Sequence, residues 1–195
     1  MPAGHLTIPA LPVLLPLGAV LMAASWLSLH RRGLLTAPRL GVVWLAGWYA
    51  VAVLGATMLP LQLAWGEAAG EPELYRFLLV PVATMRPDDF VLNIVMTLPL
   101  AALLHTVFGI RDKGRVVRLG FVLSAAIEST QAVLLLSLHG NRWADVNDLI
   151  ANTLGAWLGY LAFQRLLRLA AVRRLVGRSS LDPGPRPTAD YRMSP

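Results

Sequence analysis

Residues 111–138 read RDKGRVVRLGFVLSAAIESTQAVLLLSL, a cluster of charges followed by about twenty mostly apolar residues that contain one carboxylate, Glu128. A helix rises ~1.5 Å per residue, so a helix over 116–138 crosses a hydrocarbon core of ~30 Å. Outward from it, similar apolar blocks lie at 9–29, 40–63, 89–108 and 146–167, each bounded by short charged breaks. Hydrophobic residues make up 56% of the chain and charged residues 14%, whereas a soluble domain carries about a quarter charged. The pattern predicts an all-α, polytopic transmembrane helix bundle of about five spans. No linker divides residues 1–178, so one transmembrane domain is expected. The proline-rich segment 179–195 reads as a disordered cytoplasmic tail.

A signal peptide would need a basic stretch before its apolar core, and residues 1–8 hold no Lys or Arg. Charges follow the first block instead, at Arg31 and Arg32, so a retained helix is expected. With the N-terminus outside, 14 of the 17 basic residues fall in cytoplasmic segments and only Arg76, Arg86 and Arg142 outside. The positive-inside rule therefore selects N-out/C-in. Placed at block ends, the net charge of +6 reads as a topology signal, and no nucleic-acid partner is expected. The six tryptophans, several near span ends, read as interface anchors. The outer segment 64–88 carries an apolar run, 74–85, which Pro81 interrupts. Too short to cross, this run should lie on the outer leaflet or dip into the bundle.

Polar residues inside apolar blocks need a reason, because a charge near the bilayer centre costs at least a few kcal/mol. Ser124, Glu128 and Gln131 share one helical face, as do Asp145, Asp148 and Asn152 at the start of the fifth span. Asn93 and Thr97 lie four apart in the third. With the orientation above, Asn93, Glu128, Gln131, Arg142, Asp145, Asp148 and Asn152 all fall at the outer side. They are the candidate binding residues of a polar pocket that opens outward. Arg142 is expected to pair with Asp145 or Asp148, and Glu128 to turn inward toward Asn93 or Asn152. Asp145 suits a helix N-cap equally well. Gly155 and Gly159 form a small-xxx-small pattern for close helix approach. His139 lacks a second histidine at metal-binding spacing, so no metal is expected, and no cofactor motif occurs. Absent cysteine excludes thiolate chemistry and disulfides.

These residues resemble the VanZ-like family, named for a protein associated with teicoplanin resistance. The resemblance runs over about residues 73–160. It rests on Asn93 and Pro99, on Glu128-Ser129-Thr130-Gln131, and on the run RWADVNDLIANTLGAWLGY from Arg142 to Tyr160. Thr97 and Ala101 stand where the family usually has Phe and Gly flanking the proline. The resemblance implies a multi-pass protein of the cell membrane and, loosely, glycopeptide resistance.

Two function classes follow. A non-enzymatic protein would bind a membrane lipid, a lipid-linked envelope component or a lipophilic glycopeptide at its outer face. An intramembrane enzyme acting on a lipid or envelope precursor would use Glu128 as general acid or base; the missing nucleophile or metal set counts against it. A small transporter, with Glu128 as the coupling site, would require assembly into a homo-oligomer, a state the sequence leaves open.

The orientation predicts that a reporter active only in the cytoplasm works when fused after Val176 and fails after Gly140. The reverse pattern would overturn it.

Overall fold

Pro60 ends the second apolar block early, and much of the architecture at that end of the bundle follows from that. A computed structural model describes residues 4–83 and 85–181. In chain order it runs β1 (Gly4–Ile8), α1 (Ala10–Arg31), α2 (Ala37–Met58), β2 (Leu61–Trp65), β3 (Phe77–Leu78), α3 (Pro87–Thr97), α4 (Leu100–Phe108), α5 (Lys113–Leu138), β4 (Ala144–Asp145), α6 (Val146–Leu166) and α7 (Ala170–Ser179). The residue before a proline is disfavoured in the α conformation. Accordingly Leu59 is extended, with φ −116° and ψ 149°, and the helix expected over 40–63 stops at Met58. The freed chain forms β2, which pairs antiparallel with β1 from Gly4 opposite Trp65 to Ile8 opposite Leu61. This two-stranded sheet, whose strands are separated in the chain by α1 and α2, was not expected from the sequence.

Ala10–Arg31, Ala37–Met58, Pro87–Phe108 and Lys113–Leu138 are long and apolar enough to cross a membrane. α6, the fifth expected span, has 21 residues, or ~32 Å, and so has the length. It is less apolar because it carries Asn147, Asp148 and Asn152, and it turns Asn147 and Asn152 inward, each 2% exposed. Large apolar side chains such as Leu45, Val122 and Val133 stand outward, as a lipid-facing surface requires. The third block is two helices, with Leu98 and Pro99 between α3 and α4. Proline has no N–H to continue the ladder.

The core packs α6 against that break and against α5. A Cβ at Gly155 would collide with Thr97 Oγ1 and lie 2.5 Å from Ile94 O; one at Gly159 would collide with the Leu98 carbonyl oxygen. A Cβ at Gly120 on α5 would meet Ala156 Cβ at 2.5 Å. The small residues thus set the helix separation, the role expected of Gly155 and Gly159.

The segment 74–83 lies over one end of this core. β3 pairs in parallel with β4, Phe77 opposite Ala144 and Leu78 opposite Asp145. The Val82 N–H then donates to Asn147 Oδ1 at 2.9 Å. Phe77 and Leu78 are half-buried, whereas Leu79, Val80 and Val82 stand exposed. At the other end, basic α7 returns along α2, and the Leu181 N–H donates to Thr106 O at 3.1 Å. Of the expected tail, residues 182–195 lie outside the described residues.

Gly159→Val should lower the stability of the detergent-solubilised protein by about 1–3 kcal/mol through overpacking. The same change at Gly177, which has open space around it, should cost far less. Equal unfolding midpoints for the two variants would contradict the packing described.

Candidate functional site

An α-helix leaves its last four carbonyls without intrahelical partners, and the end of α2 lies beside α5 and the turn after it. Gln131 Nε2 donates to Thr57 O at 2.7 Å. The Arg142 guanidinium donates to Leu59 O. Asn141 answers Gln62 twice: its N–H donates to Gln62 O at 3.2 Å, and its Oδ1 accepts from the Gln62 N–H at 3.0 Å. These donors tie the α2 terminus to α5 and to the segment leading into α6.

The α5–α6 connection is held with equal economy. His139 at the end of α5 adopts a left-handed conformation, with φ 49°. Its ring nitrogens lie 3.1 Å from Ala64 O and 3.0 Å from Gly70 O, so the imidazole ties the end of α5 to the segment that follows α2. Asp145 caps α6, its Oδ1 accepting from the Asn147 N–H and from Asn147 Nδ2, both at 2.8 Å. Glu128 Oε2 in turn accepts from the Asp145 N–H at 2.8 Å. Deeper in, Asn152 Nδ2 donates to Ser124 Oγ at 3.0 Å, and the Asn93 side chain faces the Asp148 carboxylate.

Between these elements lies a cavity of about 720 Å³. Asn93, Glu128, Gln131, Arg142, Asp145, Asp148 and Asn152 all line it. Four further polar residues join them, Thr57, Arg86, Asp89 and Asn141. Arg86 is ion-paired with Asp89 at 3.1 Å and Asp88 at 3.6 Å. The acidic first turn after Pro87 was the one signal of this pair in the sequence; Thr57 and Asn141 left none. Ala56, Leu92 and Val95, which also line the cavity, are exposed apolar residues on α2 and α3. One edge of the cavity therefore faces the surface that lipid covers.

Two expected pairings are corrected. Arg142 makes no ion pair with Asp145 or Asp148 among the described residues, because the open carbonyl at the end of α2 takes its guanidinium. Burial pulls the Arg142 pKa below its usual value, yet a guanidinium remains charged. A cation also suits the negative end of the α2 dipole. Glu128 does turn inward, but its partner is the Asp145 amide; Asn93 and Asn152 bond elsewhere.

The chemistry available is therefore that of clustered carboxyl groups and amides. The one hydroxyl on the cavity lining among the described residues, Thr57 Oγ1, donates to Val53 O at 2.8 Å, and no lysine or histidine lines it.

A family model described as VanZ/LLP1 matches residues 46–168. The match runs from within α2 to the end of α6 and takes in the whole cavity lining. No curated protein and no solved structure matches the chain significantly.

If Arg142 acts on α2 and not on the carboxylates, a double-mutant cycle of Arg142→Met with Asp148→Asn should give a coupling below about 0.5 kcal/mol. Arg142→Met alone should cost about 1.5–3 kcal/mol, the range for a hydrogen bond from a charged donor. A coupling above 1 kcal/mol would restore the ion pair.

Proposed function

The chain belongs to the VanZ-like family, and on that premise we propose that it binds an amphiphilic component of the cell envelope at the outer end of its bundle. In this reading it is a multi-pass protein of the cell membrane, oriented N-out/C-in, and its ligand is a lipid, a lipid-linked envelope component or a lipophilic glycopeptide. One observation carries the proposal: a single cavity combines a floor of buried polar groups with an edge of exposed apolar side chains, Ala56, Leu92 and Val95. Such a site can hold a polar headgroup while the tail stays in hydrocarbon. A fully aqueous ligand would gain nothing from that edge.

The volume fits. Small-molecule sites span about 300–1,000 Å³, and 720 Å³ accommodates a headgroup of one or two sugar rings. Remaining open to lipid, the cavity would admit ligand laterally, without passage through water.

The enzyme reading keeps one supporting observation, that Glu128 stands in the cavity as a carboxyl held by a single backbone N–H. Glu128→Gln separates the two readings. The side-chain carbonyl of Gln can still accept from Asp145, so a binder should lose no more than about tenfold in affinity, whereas an acid–base enzyme should lose activity by 10²-fold or more.

Native mass spectrometry of the purified wild-type protein should show a co-purifying amphiphile. The double variant Ala56→Trp/Val95→Trp, which narrows the lipid-facing edge at two exposed positions, should lose it. Equal occupancy in both, or none in the wild type, would defeat the proposal.

A further inference from the structure

The polar atoms around the cavity are unequally engaged. Several of its donors have protein partners. Gln131 Nε2 is held by Thr57 O and Asn152 Nδ2 by Ser124 Oγ. Arg86 is ion-paired with Asp88 and Asp89, and one Arg142 N–H goes to Leu59 O. The acceptors are not so matched. Gln131 Oε1 and Asn152 Oδ1 are buried without a partner, in side chains only 7% and 2% exposed. The Gln131 amide has one reasonable orientation, because rotating it would set oxygen against Thr57 O. Buried carbonyls without a donor are rare in folded proteins and call for an explanation.

The lining is also rich in side-chain oxygens. Four carboxyl groups line the cavity, those of Asp89, Glu128, Asp145 and Asp148, against two guanidinium groups, one of them already paired with Asp89. A headgroup that brings only acceptors would leave Gln131 Oε1 and Asn152 Oδ1 without a donor.

We infer that the cavity selects headgroups that bring their own hydrogen-bond donors, the hydroxyls of a sugar or polyol or the N–H groups of an amine, and rejects phosphate. This rests on the proposed amphiphile site and specifies the chemistry of its ligand. The donors would complete Gln131 and Asn152 and bond the free carboxylate oxygens, while the tail leaves past Leu92 and Val95.

The test uses the full-length protein in nanodiscs of phosphatidylcholine, whose headgroup has no donor. Dodecyl β-glucoside, dodecylammonium, dodecylphosphocholine and dodecyl phosphate are titrated in, with bound adducts counted by native mass spectrometry. The glucoside, the ammonium amphiphile or both should bind at least tenfold tighter than the phosphate, and which of them does so separates a hydroxylated from an amino ligand. Gln131→Leu should weaken that binding by about fivefold to tenfold, the equivalent of one hydrogen bond. Asp148→Asn, which leaves the Gln131–Thr57 contact intact, should weaken it independently should the first variant fold poorly. Equal binding of all four probes, or tightest binding of the phosphate, would overturn the donor rule and leave the amphiphile reading standing. Binding of every probe no greater than in Ala56→Trp/Val95→Trp would overturn both.

Discussion

Gly155 and Gly159 bring the backbone of α6 against Ile94, Thr97 and Leu98, close enough that no Cβ fits between them. Polar side chains on a membrane helix are tolerated when they are turned into such contacts and away from lipid. Close approach on this face directs Asn147 and Asn152 inward and sets Asp148 opposite Asn93. A bulkier seam would push α6 outward and expose those groups to hydrocarbon. The break at Leu98 and Pro99 belongs to the same device, since the Leu98 carbonyl is the surface on which Gly159 rests.

The second organising feature is the early end of α2. Its last carbonyls would be left without partners, and a polar group shielded from water without a partner costs several kcal/mol. Gln131 and Arg142 reach Thr57 O and Leu59 O and remove that penalty. In doing so they join α2 to α5 and wall one side of the cavity. The sheet of β1 and β2 continues the tie, because Gln62 within it exchanges two hydrogen bonds with Asn141.

Much of this was legible in the chain because it is periodic. Apolar blocks announce helices, and spacings of three and four put Ser124, Glu128 and Gln131 on one face. Charge asymmetry then set the candidate residues at one depth, and all seven line one cavity. Partners across elements were not legible. The pairing of Arg142 with Asp145 or Asp148 was read from neighbours along the chain, but the competing acceptor, Leu59 O, is 83 residues away. A backbone carbonyl leaves no mark in a sequence, and its availability depends on where a helix stops. Pro60 was the available clue, and reading past it misplaced the end of α2. Residues 4–8 likewise gain their strand partner only because that helix ends early.

These two features together explain why the cavity is rich in acceptors. Each open helix carbonyl draws a donor from a neighbouring side chain, and an amide that gives its NH₂ to such a carbonyl turns its own oxygen elsewhere. Gln131 does this at the end of α2, where its Nε2 goes to Thr57 O and its Oε1 is left without a partner. Glu128 and Asp145 are each fixed by backbone N–H groups through one carboxylate oxygen. Construction of the bundle thus consumes donors and leaves acceptors in place. A site made by tying off helix ends inherits a polarity that none of its residues was needed to create separately.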